Sequence, residues 1–162
     1  MRLSLACVFA TLASVVAIAQ TLGPEPSTLQ HVAIHASVSA PAVSKGGSVT
    51  LWADVTPKPN IHVYASDTDG FTPVKLVLTP RAGVTVGKVK YPEAELLPTP
   101  GVSHPVPVYR KVFRLAEPII VEATAKPGED ITIAGVVNYQ ACDDRVCYPT
   151  ASLPVSWTVR VK

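Results

Sequence analysis

Sixteen prolines are spread through this 162-residue chain, and they leave no stretch free for a long helix. Inside a helix a proline removes one backbone hydrogen bond and clashes with the preceding turn. Between the prolines, apolar and polar residues alternate with the two-residue period of a strand that has one buried face. In residues 29–38, Val32, Ile34 and Ala36 fall on one side, with His35 and Ser37 on the other. In residues 48–55, Val49, Leu51, Ala53 and Val55 oppose Thr50, Trp52 and Asp54. Residues 74–79, 106–115, 119–125, 131–139 and 153–161 read the same way.

Turn formers stand between these runs: Gly46-Gly47, residues 57–60, Asp69-Gly70, residues 80–83, residues 98–101 and Pro127-Gly128. Glycine permits positive φ and proline presets φ, so each cluster breaks a strand for a physical reason. About seven to nine short antiparallel strands result, an all-β chain whose natural architecture is a β-sandwich. Trp52 and Trp157 read as core or sheet-surface fillers, and Asp67 and Asp69 as turn residues. Residues 91–107 carry five prolines and one apolar pair, Leu96-Leu97, and read as a long surface loop.

The N-terminus follows a different logic. Met1-Arg2 is a short positive start, residues 3–18 are apolar, and Ala17-Ile18-Ala19 is a small-x-small cleavage pattern. A signal peptide is expected over residues 1–19, a flexible leader with Gly23, Pro24 and Pro26 over 20–28, and the sandwich over 29–162. A retained membrane helix is the alternative. No later stretch is apolar for long enough to span a bilayer, so no stable membrane insertion is expected after cleavage.

The formal charge is +2, and without Arg2 the balance is 13 basic against 12 acidic residues. The basic side chains are scattered with few aromatics between them, which speaks against nucleic-acid binding. Cleavage would discard Cys7 and leave Cys142 and Cys147, an even count in an oxidising compartment, so one intramolecular pair is expected. Four residues separate the two, including Asp143-Asp144. Cysteines on either side of such a hairpin loop face each other at about 4.5–5.5 Å between Cα atoms, a distance a disulfide accepts.

The bridge is either a structural staple or a working disulfide. Closing so short a loop stabilises by only about 2 kcal/mol, and a domain of about 130 residues builds its core without that help. A zinc site would need two further ligands, and the spacing of His31, His35, His62 and His104 forms no metal pattern. No Ser-His-Asp or paired-carboxylate arrangement stands out for hydrolysis.

The stretch YQACDDRVCYP, residues 139–149, resembles the active-site segment of the N-terminal periplasmic domain of the thiol:disulfide interchange protein DsbD. Ile61-His62-Val63-Tyr64, then Asp67, Gly70 and Pro73, is similar to that family's Trp-His-Ile-Tyr stretch and its turn. Tyr91-Pro92-Glu93 followed by Val108-Tyr109 is similar to the segment leading into its next strand. The resemblance covers about residues 45–155.

It implies an immunoglobulin-like β-sandwich acting as a protein-disulfide reductase. A thioredoxin-like donor reduces the disulfide, and the electrons pass to other periplasmic or secreted thiol proteins. A monomer is expected, and the pathway it serves is one of cytochrome c biogenesis, isomerase reduction and thiol repair, which the sequence does not distinguish. The sulfurs carry the electrons, so no cofactor and no metal is expected. Cys147 would form the mixed disulfides and Cys142 would resolve them. Tyr139, Gln140, Tyr148, His62 and Tyr64 would line the site. The family shields its disulfide with a cap loop bearing an aromatic ring. The corresponding segment here, about residues 99–107, has no Phe, Tyr or Trp, which leaves Val102, His104 and Val106 as the lid.

The chemistry suits a passive carrier. No helix N-terminus or C-x-x-C pattern lowers a thiol pKa, Asp143 and Asp144 oppose ionisation, and Arg145 favours it. Such a disulfide is one that a partner's thiolate attacks. An immunoglobulin-like binding or adhesion module with a structural bridge remains the alternative, since sandwiches host many functions.

Overall fold

The computed structural model describes residues 30–65, 70–99 and 101–162. The expected signal peptide and leader, and the turn residues Asp67 and Asp69, lie outside the described residues. The strands in chain order are β1 (Val32–Val38), β2 (Ala42–Val43), β3 (Ser48–Pro57), β4 (His62–Tyr64), β5 (Lys75–Leu78) and β6 (Val84–Val86). There follow β7 (Glu95–Leu97), β8 (Val106–Tyr109), β9 (Phe113–Val121), β10 (Asp130–Tyr139), β11 (Ala141–Cys142) and β12 (Ala151–Val161). They form three sheets, ordered β1-β3-β9-β6, β2-β12-β10-β5 and β11-β4-β8-β7. The fold is an all-β, immunoglobulin-like sandwich, and no helix among the described residues is long and apolar enough to cross a membrane.

The alternating pattern sets the two large layers. Val49, Leu51, Ala53 and Val55 of β3 and Leu115 and Ile119 of β9 are buried against Ile133 and Val137 of β10 and Trp157 of β12. Each large aliphatic side chain removed from water here contributes about 1.5–3 kcal/mol. Trp157 also ties the layers together, its Nε1 donating to the Trp52 carbonyl at 2.8 Å. Trp52 carries the Arg114 guanidinium 4.4 Å above its ring. Gly135 lets β10 approach β5 closely, since a Cβ there would lie 2.8 Å from the Val77 carbonyl oxygen. Asn60 makes the turn into β4 with φ at 63°, a conformation Asn tolerates better than most residues.

The strands are more numerous than expected, twelve among the described residues, because β2, β4, β6, β7 and β11 have only two or three residues each. Segments that short show no alternation. One pairing is parallel, with Ala42 opposite Arg160 and Val43 opposite Val161. The runs at 106–115 and 119–125 are regrouped: β8 stops at Tyr109, and β9 runs unbroken through Glu117 and Pro118. Pro118 lacks an N–H but keeps its carbonyl bonded, accepting from Gly87 N at 2.8 Å. Residues 91–107 are not one loop. Leu97 pairs with Val106 and Glu95 with Val108, so this stretch holds most of the β7–β8 hairpin.

The small third sheet positions the site. Its side chains Tyr64, Val106, Val108 and Cys142 form a second apolar cluster, apart from the main core.

Candidate functional site

Strand β10 leaves the core at Tyr139, and after Gln140 the chain enters β11, where Ala141 pairs with Val63 and Cys142 with His62. The loop that follows is built by Asp143. Its Oδ1 accepts from the backbone N–H groups of Arg145 and Val146, both at 2.8 Å. Its Oδ2 accepts from the Tyr148 hydroxyl at 2.8 Å, and its own N–H donates to the Val146 carbonyl at 3.0 Å. The Val146 and Arg145 amides and the Tyr148 hydroxyl hold this carboxyl below the usual carboxylate range. An aspartate that bonds the backbone two residues on is a local turn former. The turn returns Cys147 as an antiparallel bridge partner of Cys142, and the two are joined by a disulfide with Cα atoms 4.0 Å apart.

The two sulfurs have opposite surroundings. Cys142 is buried, 1% exposed, whereas Cys147 is exposed. Beside the bridge lies a cavity of about 560 Å³, lined by both cysteines and residues 143–146 together with His62, Tyr64, Phe71, Leu97, Thr99 and Val102. The Tyr64 hydroxyl sits 3.4 Å from Cys142 Sγ and 3.6 Å from Cys147 Sγ. Tyr64 stacks on Phe71 with ring centroids 4.1 Å apart, and His62 meets it edge-on at 5.6 Å. Burial pushes the Tyr64 phenol above its ordinary pKa. Burial, and after it the charge of Arg110, pulls His62 below its own, while Asp144 and Asp143 act the other way. Among the described residues no group of three or more His, Cys, Asp or Glu could hold a metal ion.

A family model described as thiol:disulfide interchange protein DsbD, N-terminal, matches residues 30–155. The chain belongs to the DsbD N-terminal family. Among solved structures it is similar to the N-terminal periplasmic domain of ScsB from Proteus mirabilis, at 18% identity and a TM-score of 0.52. That likeness covers 82% of this chain and 47% of the other, so this chain spans about half its length. It is also similar to the DsbD N-terminal domain of Neisseria meningitidis in the reduced form, at 16% identity and a TM-score of 0.47, over 77% of this chain and 85% of that one. No curated protein matches it in sequence.

On this DsbD N-terminal framework the residues singled out from the sequence separate into two groups. Cys142, Cys147, His62, Tyr64 and Val102 line the cavity. Tyr139 does not: it is 1% exposed in the main core, where its hydroxyl accepts from His31 N at 3.4 Å. Tyr148 does not line it either. Its ring stacks on His31 at 3.8 Å while its hydroxyl holds Asp143, so it braces the cysteine loop. Gln140 also braces, its Oε1 accepting from Thr72 N at 3.1 Å and its Nε2 donating to the Tyr148 carbonyl at 3.4 Å.

The residues read as a lid divide in the same way, with Val102 on the cavity and packed against the Cys142 cluster. Val106 is buried beside Cys142 as a β8 core residue, because its strand register with Leu97 turns it inward. His104 is exposed and faces a separate recess with Val102 and Pro105. Phe71, stacked on Tyr64 and lining the same cavity, is a second ring beside the disulfide that no sequence motif marks. The available signal was a lone phenylalanine directly after Gly70, in an otherwise polar stretch between β4 and β5.

Proposed function

We propose that this protein is an exported thiol–disulfide exchange carrier. A thioredoxin-like donor reduces the Cys142–Cys147 disulfide, and the resulting dithiol reduces disulfides in other periplasmic thiol proteins. Membership of the DsbD N-terminal family supports the chemistry. The observation that carries the reading is the asymmetry of the bridge: Cys147 is exposed beside an open cavity while Cys142 is buried. A thiolate attacks the sulfur it can reach, and the other sulfur leaves. Cys147 is therefore the attacked and exchanging sulfur, and Cys142 the leaving and resolving one. Export follows from the leader-like N-terminus and from a disulfide that an oxidising compartment preserves.

The test is direct. Oxidised protein is mixed with a reduced thioredoxin-like protein, quenched by alkylation and read by mass spectrometry. Rapid appearance of two alkylated thiols at Cys142 and Cys147 is expected. A bridge inert to that protein, with a reduction potential below about −300 mV, would mark a structural staple in a binding module.

A further inference from the structure

Within the exchange reaction proposed above, on which this inference rests, we propose that Tyr64 is a further catalytic residue. Its hydroxyl donates a hydrogen bond to the Cys142 thiolate as that sulfur leaves the disulfide.

The hydroxyl lies within hydrogen-bond reach of both sulfurs, 3.4 Å from Cys142 Sγ and 3.6 Å from Cys147 Sγ. In the disulfide neither sulfur carries a proton, so the phenol is the donor to either. Cys142 is the sulfur in need of one. At 1% exposure, packed with Val106 and Val108, its thiolate gains little stabilisation from bulk water. Burial in apolar surroundings disfavours a thiolate and makes it a poor leaving group.

The other titratable groups around the cavity do not fill this role. His62, opposite Cys142 on β4, is held toward its neutral form by burial. Asp143 and Asp144 are acidic and oppose a second negative charge, and Arg145 is exposed in the loop. Strand β8 contributes only Val106 and Val108 to the cluster around Cys142. Burial raises the Tyr64 pKa, so the phenol keeps its proton at neutral pH and acts as a donor.

A partner thiolate attacks Cys147 Sγ and a partner–Cys147 disulfide forms. The Cys142–Cys147 bond breaks, and its electron pair leaves on Cys142 Sγ, which accepts the hydrogen bond from Tyr64. A free thiol is a stronger acid than a phenol, about 8.5 against about 10, so Tyr64 retains its proton and solvent later protonates Cys142. The partner's second thiolate attacks the mixed disulfide at the partner's sulfur and releases the Cys147 thiolate. The partner is oxidised to a disulfide, and this protein is reduced by two electrons. When the reduced protein passes its electrons on, Cys142 gives up that proton to solvent and the same hydrogen bond favours the thiolate that resolves the mixed disulfide with an acceptor.

Tyr64→Phe tests this, because it keeps the ring, the stack on Phe71 and the edge contact with His62 while removing only the hydroxyl. The first readout needs no partner. In full-length Cys147→Ala protein, with and without Tyr64→Phe, alkylation is followed across pH on the peptide containing Cys142. Loss of the hydroxyl should lower the Cys142 thiolate fraction at neutral pH about tenfold, equivalent to about 1.4 kcal/mol. The second readout is reduction of the intact disulfide by dithiothreitol, which should slow by about the same factor. Thermal unfolding of oxidised Tyr64→Phe should stay close to that of the unaltered protein.

An unchanged alkylation profile, or faster reduction, overturns the proposal. Phe71→Leu is the packing control, since it disturbs the stack but spares the hydroxyl. An equal shift of the Cys142 profile in that variant also overturns the proposal. The two readings fail separately. If the unaltered protein is inert to a thioredoxin-like donor while Tyr64→Phe still shifts Cys142, the carrier role falls and the hydrogen bond stands. If the unaltered protein exchanges quickly and Tyr64→Phe is indistinguishable from it, only the role of Tyr64 falls.

Discussion

Phe71 lies against Tyr64 with ring centroids 4.1 Å apart and 19° between the ring planes. Both rings line the cavity beside the disulfide, so the stack governs how a small thiol reaches the sulfurs. Phe71→Ala should therefore speed glutathione attack on the oxidised protein several-fold, at a stability cost of about 1 kcal/mol for the lost stack. Gln140→Leu, which removes the hydrogen bond to Thr72 beside Phe71, should accelerate attack to a smaller degree. Val102→Gly should also open the cavity, whereas His104→Ala should leave the rate unchanged, because His104 faces the neighbouring recess. Stopped-flow or quenched alkylation measures all four. Equal acceleration by His104→Ala and Phe71→Ala would show that His104 covers the disulfide after all.

Exposure of Cys147 and burial of Cys142 predict unequal trapping. Cys142→Ser should accumulate a long-lived mixed disulfide with a thioredoxin-like partner that lacks its own resolving cysteine. Cys147→Ser should trap several-fold less, since a partner cannot dock its sulfur against a thiol enclosed by Tyr64, Val106 and Val108. Non-reducing gel electrophoresis gives the comparison, and equal yields would contradict the assignment of roles.

The loop between the cysteines depends on one carboxylate. Asp143 accepts from two backbone amides and one hydroxyl, and these bonds depress its pKa. For a carboxyl held below its unfolded value, the stabilisation is present above the ordinary carboxylate range and is lost as pH falls through the depressed folded value. Asp143→Ala should lower the hydrogen-exchange protection of the Arg145 and Val146 amides several-fold. Asp143→Asn should recover part of it, because its side-chain oxygen still accepts. Acidification of the unaltered protein through the depressed pKa should mimic Asp143→Ala, and protection that ignores both changes would refute this account of the turn.

Glu117 obeys the alternation of β9 and turns inward beside Leu115 and Ile119, opposite Leu51. It is 5% exposed, its Oε2 has no hydrogen-bond partner among the described residues, and burial raises its pKa to about 7. A carboxyl whose folded pKa is raised binds its proton more tightly when folded, so stability falls as pH rises from the ordinary value of 4.5 to about 7. Glu117→Gln should match the unaltered protein near pH 4 and exceed its stability by roughly 3 kcal/mol above neutrality. Urea unfolding at several pH values measures this, and parallel curves would show that the carboxyl is solvated in the folded state.

Much of the architecture was legible because it is local. Alternation at Val49, Leu51, Ala53 and Val55 sets a strand face wherever that strand ends up, and proline and glycine break strands without help from distant residues. The pairing of Cys142 with Cys147 was legible for the same reason, since five positions along a turn keep the two sulfurs together in any fold. The short strands β7 and β11 were not legible, because two or three residues acquire strand geometry only from the partner they meet. Nor does the cysteine motif say which sulfur is buried. That depends on the pairing of Cys142 with His62, about eighty positions earlier, which lays one cysteine against Tyr64 and Val106 and leaves the other outside. The same packing turned Tyr139 into the main core and Tyr148 against His31, and brought Phe71 to the disulfide in place of His104. Sequence order holds a chain's neighbours together, but the faces those residues present are chosen by the sheets that pack on them.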